Sequence, residues 1–303
     1  MVKNYMDIKQ LRVFIALAGD LHFARAGERL GISQSAISQQ IKALEQRVGV
    51  RLLNRTTRLV KLTPAGEAFL AEIQQALEKL EAAPRIAAMT ARGEAGELRI
   101  GYIIPAIVGI VPDAIQIFRS RYPNVNLQLR RLSSREQIEE LMAERIDIGF
   151  IRSPIHESSL YSQVVAREGF VAVIPSDHRL AKKPDFELSD LAGEPLVQYN
   201  FYPESPYQAR VMERCQEIGF RPQIVQQTTD TTAIVGLVAS GIGLSILPVS
   251  VANIARHPKV TFRPLRELPR WAELSAVCRQ DDTSARVKNF LRMLEEFPVP
   301  ATD

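Results

Sequence analysis

The sequence has little of what several functional classes need. Its 303 residues include only two cysteines, Cys215 and Cys278, and four histidines, which is too few for a disulfide framework or a cysteine-built zinc site. No apolar run approaches the roughly 18 residues of a membrane span, and the first residues lack the apolar core of a signal peptide. We therefore expect no membrane partner, no metal and a reducing compartment, the cytoplasm.

Signatures of catalysis are also missing. There is no G-x-S-x-G elbow, no phosphate-binding G-x-x-x-x-G-K-[ST] loop and no G-x-G-x-x-G fingerprint. The histidines are scattered without metal-ligand spacing, and the two cysteines have apolar neighbours that are typical of packed thiols. We predict no catalytic residue and no cofactor, although an enzyme on an α/β body is an alternative that turnover of a candidate ligand would revive.

The charge is unevenly distributed along the chain. Residues 1–66 carry 11 Lys and Arg against 4 Asp and Glu, whereas residues 67–303 carry 27 against 30. The hydrophobic fraction of 46% and the charged fraction of 24% are those of a globular protein. A small basic head on a slightly acidic body indicates a nucleic-acid-binding module joined to another domain.

Three short helical patterns follow one another in the head. Apolar residues recur at helical spacing from Ile8 to Ala18, from Phe23 to Leu30 and from Ile37 to Val48. Between the second and third patterns, Gly31 permits a sharp turn and Ser33 is a good N-cap. This order predicts a helix-turn-helix, in which the second helix of the pair enters the major groove.

Polar side chains cover the predicted recognition helix on the side opposite its apolar stripe. Glutamine can bond adenine through two hydrogen bonds, and serine can bond bases or phosphates. The candidates for DNA contact on this helix are Ser33, Gln34, Ser35, Ser38, Gln39 and Lys42. Two short strand-like runs then surround a basic tip, which predicts a wing whose Arg55 and Arg58 contact phosphate or the minor groove.

The run FARAGERLGISQSAISQQIKALEQRVGVRLLNRTTRLVKLTPAGEAFL resembles the N-terminal winged helix-turn-helix of LysR-type transcriptional regulators. It departs from the common pattern at Ser35, where proline is frequent, and at Gln39, where arginine or histidine is frequent. The resemblance implies a regulator that binds double-stranded DNA at an interrupted inverted repeat as a homodimer or homotetramer. It leaves RNA polymerase open as a further partner.

A long helix is expected after the head. Leu70, Ile73, Leu77 and Leu80 have the spacing of a coiled-coil seam, although such a stripe could equally pack on the protein's own body. The length of the helix and the resemblance both favour dimerisation through these four residues. Pro84 predicts a bend or break, and residues 92–96 predict a hinge. The expected domains are 1–64, the linker 65–96 and the body 97–303.

The body alternates strand-like and helical segments, which predicts an α/β fold with mostly parallel sheets. The resemblance implies two lobes, as in periplasmic binding proteins: lobe one from 97–165 and 267–303, and lobe two from 166–266. The expected strands are Leu98–Ile103, Val125–Leu132, Ile146–Ile151, Val164–Ile174, Pro195–Gln198, Gln223–Gln227, Gly243–Leu247 and Ala272–Cys278.

Ligands of open α/β sheets bind at the carboxyl ends of strands, beside helix N-termini. Residues at these positions offer hydroxyl groups, aromatic rings and one cation, Arg152, which suits a small aromatic or unsaturated carboxylate. A salt bridge of Arg152 within the protein is an equal alternative. The candidates for effector binding are Ile104, Pro105, Ser133, Ser134, Arg152, Tyr199, Asn200, Phe201, Tyr207 and Thr229.

These observations predict a transcriptional regulator whose DNA binding responds to a small molecule in the cleft between the lobes. A ligand shifts such an equilibrium only if it binds the two states unequally. The alternative is a small-molecule binding protein or carrier with no role in transcription. The patterned basic head argues against that alternative, and a DNA-binding assay would separate the two.

Overall fold

Two units are present in the structure: the head unit, Met1–Ala88, and the body unit, Met89–Asp303. The computed structural model describes residues 6–55, 59–155, 157–199 and 206–299, and the side chains of Pro206 and Tyr207 lie outside that description. Within the described residues, none of the helices combines the length and apolarity that a membrane crossing requires.

The head unit contains three short helices, a hairpin and most of a long helix. Phe14, Ala26 and Ile37 come from the three short helices in turn and are completely buried in one core. The edge-to-face contact of Phe14 with Phe69 adds the long helix to that core. The elements are α1 (Ile8–Asp20), α2 (Phe23–Leu30), α3 (Gln34–Val48), β1 (Leu53–Arg55), β2 (Val60–Leu62) and α4 (Pro64–Ala91).

The turn between α2 and α3 has the geometry that the sequence predicts. Gly31 ends α2 with a φ of 67°, in the left-handed region that glycine adopts without strain. Ser33 caps α3, because its hydroxyl accepts a hydrogen bond from the Ala36 N–H at 3.2 Å. The helix-turn-helix is confirmed.

The long helix α4 continues through Pro84, so the predicted break is wrong. Proline removes the hydrogen bond to the carbonyl four residues earlier and crowds that carbonyl, but this stretch of α4 is exposed, where water can satisfy the carbonyl. Residues 92–96, the predicted hinge, pack against other residues of the body unit. A Cβ on Gly93 would lie 2.4 Å from the Arg286 nitrogen, and Asn289 donates a hydrogen bond to the Arg92 carbonyl at 3.0 Å.

The body unit alternates strands and helices along the chain. Its strands are β3 (Ala95–Tyr102), β4 (Asn124–Arg131), β5 (Ile148–Arg152), β6 (Leu160–Glu168), β7 (Phe170–Pro175), β8 (Pro195–Tyr199), β9 (Gln223–Thr228), β10 (Ser245–Pro248), β11 (Val260–Leu265) and β12 (Ala272–Arg279). Its helices are α5 (Ile104–Ile107), α6 (Ile110–Arg121), α7 (Ser134–Met142), α8 (Pro206–Glu217), α9 (Thr231–Ala239), α10 (Ser250–Ile254) and α11 (Ala285–Leu294).

These elements form two lobes. Lobe one has a five-stranded sheet in the order β4-β3-β5-β12-β6, with a core in which Phe118 and Phe290 have ring centroids 5.0 Å apart. Lobe two has a three-stranded sheet, β10-β7-β11, and a parallel pair, β8-β9, which the bridge between Leu196 and Leu244 connects. The chain passes between the lobes at Gly169 and again between β11 and β12.

The sheets are mixed rather than mostly parallel, so that expectation is wrong. β3 is parallel to β4 and β5, but β12 lies antiparallel between β5 and β6, and β7 lies antiparallel between β10 and β11. The expected strand Val164–Ile174 is two strands in different lobes, β6 and β7. Strand β11 was not predicted, and its Pro264 weakens any strand pattern.

Candidate nucleic-acid interface and effector cleft

The polar face of α3 is placed as the sequence predicts. Its apolar residues Ile37, Ile41 and Leu44 are fully buried in the head core. On the other side, Ser38 is half-buried, and the exposed residues are Ser33, Gln34, Ser35, Gln39 and Lys42. Ser33 is already engaged as the N-cap and contacts the Ser35 hydroxyl at 2.9 Å. Two glutamines and a lysine are therefore the longest side chains available to a DNA groove.

The wing exists, but Arg55 does not extend from it. Strands β1 and β2 pair antiparallel, with Arg55 opposite Val60. The Arg55 guanidinium lies 2.6 Å from the Glu45 carboxylate, and the Arg55 side chain is 28% exposed. Arg55 is therefore already paired with a carboxylate, and its contact with phosphate or the minor groove stays a prediction. Arg58 lies outside the described residues.

The predicted seam of α4 is used mainly inside the head unit. Ile73 and Leu77 are only 5% and 7% exposed, and Leu70 packs against the head core. Leu80, by contrast, is 48% exposed. The first three residues of this stripe therefore pack within the head unit, and dimerisation through the stripe stays a prediction. A second exposed row follows the same 3-4 spacing, namely Ala76, Leu80, Ala83 and Ala87.

In lobe one, the ends of two parallel strands meet at one edge of the sheet. β3 leads into α5 at Ile104 and Pro105, both half-buried, and β4 leads into α7 at Ser133 and Ser134. Ser133 caps α7 in a reciprocal arrangement with Glu136, so its hydroxyl accepts from the Glu136 N–H. These residues supply helix N-termini rather than unengaged hydroxyl groups.

In lobe two the parallel strands β8 and β9 also end at one edge of their sheet. Tyr199 ends β8, and Thr229, which is exposed, links β9 to α9. Asp230 caps α9: its carboxylate accepts from the Thr232 and Ala233 N–H groups, and these bonds hold its pKa below the ordinary value. Burial raises the pKa of Tyr199. Asn200 and Phe201 lie outside the described residues, as does the side chain of Tyr207.

Arg131 is the cation at this cleft that the sequence analysis missed. It is the last residue of β4 and is exposed, and its charge acts across the cleft on both Tyr199 and Asp230. Among the residues that the structure describes, it forms neither a hydrogen bond nor a salt bridge. The signal was its position at a strand end, two residues before Ser133.

Arg152 has a partner within the protein, as in the alternative interpretation. Its guanidinium lies 2.5 Å from a Glu168 oxygen and donates to the Ala272 carbonyl at 3.1 Å, and its side chain is 7% exposed. Its backbone N–H donates to the Ser134 hydroxyl at 3.3 Å. The reason for expecting a ligand carboxylate at Arg152, an unpaired buried charge, therefore no longer applies.

Neither cysteine has the surroundings of a reactive thiol. Cys215 and Cys278 are buried, and burial raises the pKa of each thiol to about 11, which keeps both protonated and unreactive at neutral pH. In the described ranges, no group of three His, Cys, Asp or Glu side chains is placed to hold a metal ion.

Comparison with known proteins covers nearly the whole chain. Residues 8–67 match the bacterial regulatory helix-turn-helix protein, lysR family, and residues 91–298 match the LysR substrate binding domain. The chain is 35% identical to the transcriptional regulator AlsR of Bacillus subtilis, over 95% of each protein. It is 38% identical to the uncharacterized regulator YnfL of Escherichia coli, over 94% of this chain and 96% of YnfL.

A solved structure is similar to this chain in both sequence and fold. Full-length CbnR complexed with its target DNA superposes with a TM-score of 0.80 at 28% identity, over 96% of this chain and 99% of CbnR. The families and named relatives are transcriptional regulators and not enzymes.

Proposed function

Because the chain belongs to the lysR family of bacterial regulatory helix-turn-helix proteins, it is a DNA-binding transcriptional regulator with an effector-binding domain, and we propose which residues perform each task. Gln34, Ser38 and Gln39 read base edges in the major groove, and Lys42 binds phosphate. The cleft between the lobes takes a small organic anion.

The exposed polar face of α3 carries the first part of the proposal. In a helix-turn-helix, residues near the N-terminus of the second helix contact base edges. Gln34 and Ser38 lie one turn apart on α3, at its N-terminal end. Glutamine pairs well with adenine, and serine bonds bases or phosphates. The basic head supplies the attraction to phosphates that does not depend on sequence.

Arg131 carries the second part of the proposal, the binding of a small organic anion in the cleft between the lobes. An exposed guanidinium without a partner in the described structure is suited to bind a carboxylate through two parallel hydrogen bonds. The half-buried ring of Tyr199 offers an apolar surface on the opposite lobe. A small aromatic or unsaturated carboxylate would therefore contact both lobes at once. Such a ligand would favour an arrangement of the two lobes in which both contact it, because it binds that arrangement more tightly than any other.

Self-association uses surfaces that the monomer leaves exposed. The row Ala76, Leu80, Ala83 and Ala87 on α4 fits a second copy of the same helix. Leu129 on β4 and Val225 on β9 are also over 40% exposed on parallel edge strands, which normally are covered. A homodimer formed through α4, and a tetramer formed through further contacts, would place recognition helices on half-sites separated by whole helical turns. Since the DNA partner is in the cytoplasm, the protein acts there.

Selection of DNA from a random library by the full-length protein tests the first part of the proposal. We expect an enriched site with two related half-sites, protected in footprinting, and enrichment lost in Gln34→Ala. Failure to enrich any sequence at low salt would contradict it. For the second part, small aromatic and unsaturated carboxylates should raise the melting temperature in a concentration-dependent way. The Arg131→Met variant should show no such increase.

A further inference from the structure

Glu45 joins the recognition helix to the wing through three contacts. It lies on α3, and one of its carboxylate oxygens accepts hydrogen bonds from the Leu52 and Leu53 N–H groups at 3.0 and 3.1 Å. The other oxygen lies 2.6 Å from the Arg55 guanidinium. A single side chain therefore holds the start of β1, and the last residue of β1, against the helix that reads DNA.

The segment that Glu45 holds is also fixed from its other side. The Leu52 carbonyl accepts from the Thr63 N–H at 3.0 Å, and the backbone of Gly66 approaches it so closely that a Cβ there would lie 2.1 Å away. The Arg55 guanidinium lies 5.6 Å from the centre of the Phe23 ring, on α2. The wing is thus attached to α2, α3 and the start of α4.

The charges and exposure of this pair argue against direct DNA contact. The side chains of Glu45 and Arg55 are only 15% and 28% exposed. A carboxylate beside a phosphate backbone repels it, and here the adjacent arginine neutralises that repulsion. The Glu45 carboxylate is engaged with Arg55 and with two backbone N–H groups, and the Arg55 guanidinium is engaged with Glu45 and the Phe23 ring.

We infer that Glu45 is a positioning residue for DNA recognition: with Arg55, it sets the orientation of the wing relative to α3. The inference rests on the proposed DNA binding by the head. Sequence preference depends on α3 and the wing reaching the duplex together, whereas attraction to any duplex depends on net charge. Loss of the pair should therefore lower preference more than general affinity.

Three variants separate the parts of this arrangement. In Glu45→Gln the amide oxygen can still accept from Leu52 and Leu53, but the ion pair with Arg55 is lost. In Arg55→Lys a cation is retained, and in Arg55→Met it is removed. Glu81→Gln is the matched control, because it makes the same charge change and breaks another head ion pair, Arg12–Glu81 at 3.0 Å, away from the wing.

The measurement uses the full-length protein and two duplexes: one that the wild type selects from a random library and a scrambled duplex of the same composition. For Glu45→Gln we expect the ratio of the two affinities to fall about tenfold, the scale of one misplaced base contact. Affinity for the scrambled duplex should be equal or higher. Arg55→Met should also lower the ratio, Arg55→Lys should largely restore it, and Glu81→Gln should keep it.

An unchanged ratio in Glu45→Gln overturns the inference, including the case in which both affinities fall together, as they would if the head were merely destabilised. A parallel loss for both duplexes in Arg55→Met, with the slope of log affinity against log salt lower by about one, would instead show a direct phosphate contact by Arg55. If the wild type selects no sequence at all, the proposed DNA binding has failed, and that result is distinct from either of these.

Discussion

The guanidinium of Arg152, at the end of β5 in lobe one, lies 2.5 Å from the carboxylate of Glu168, where the chain leaves lobe one for lobe two. The second oxygen of Glu168 accepts from the Ser250 N–H on α10 of lobe two at 2.7 Å. This pair joins the two lobes at their junction. It therefore supports the geometry of the cleft without occupying it.

Arg152→Met should lower the free energy of unfolding by about 2–4 kcal/mol, because it leaves the largely buried Glu168 charge without its partner. Urea denaturation measures this loss. The matched control is Arg135→Met, which removes a surface ion pair with Glu139 whose side chains are 70% and 59% exposed, and it should change little. If Arg152→Met is as stable as the wild type but no longer binds the carboxylate, Arg152 contacts the ligand after all.

Gln34→Ala and Ser38→Ala should each weaken binding to the selected DNA by roughly 1–3 kcal/mol, the value of a good base contact. Folding should be unchanged, since neither side chain belongs to the buried stripe of α3. Fluorescence anisotropy measures the affinities. Gln46→Ala, an exposed substitution at the other end of α3, serves as the control. Equal affinity for all three variants would rule out this helix as the reader.

Leu80→Asp should weaken self-association, whereas Leu77→Ala should destabilise the head. Leu80 is 48% exposed, and a charge there would be buried without a partner in a helix-to-helix contact. Leu77 is 7% exposed, so its truncation leaves a cavity and costs about 2–4 kcal/mol. Sedimentation equilibrium and thermal unfolding measure the two effects. Full dimerisation of Leu80→Asp would exclude this surface of α4 as the interface.

The stability of the protein should depend on pH through the carboxylate of Glu140. Hydrogen bonds from Arg145, together with Arg130, lower the pKa of Glu140 to about 2. The stabilisation is therefore complete above the unfolded-state pKa near 4.5 and is lost as the pH falls toward 2. The difference in melting temperature between wild type and Glu140→Gln should shrink over that interval. A difference that stays constant from pH 6 to pH 2.5 would contradict the assignment.

Local patterns predicted those elements whose determinants are close together in the chain. The turn at Gly31 and the cap at Ser33 needed only neighbouring residues, and the structure contains both of them. The family resemblance extended the prediction to the two-lobed arrangement.

Features that depend on distant residues were not predictable in the same way. β12 lies between β5 and β6 although it is more than 100 residues further along the chain, and no local signal indicates its antiparallel direction. The partners of Arg55 and Arg152 are 10 and 16 residues away in sequence. A residue's charge can be read from the sequence, but whether another side chain already satisfies it depends on the fold.

The affinity of the full-length protein for its selected duplex, measured with and without a carboxylate that raises its melting temperature, tests the central claim most directly. For the wild type we predict a change in DNA affinity of about 5–150-fold, the usual range of coupling between sites. For Arg131→Met we predict the same affinity without ligand and no change when the carboxylate is added. An equal response of the two proteins, or no response of the wild type, would contradict the account.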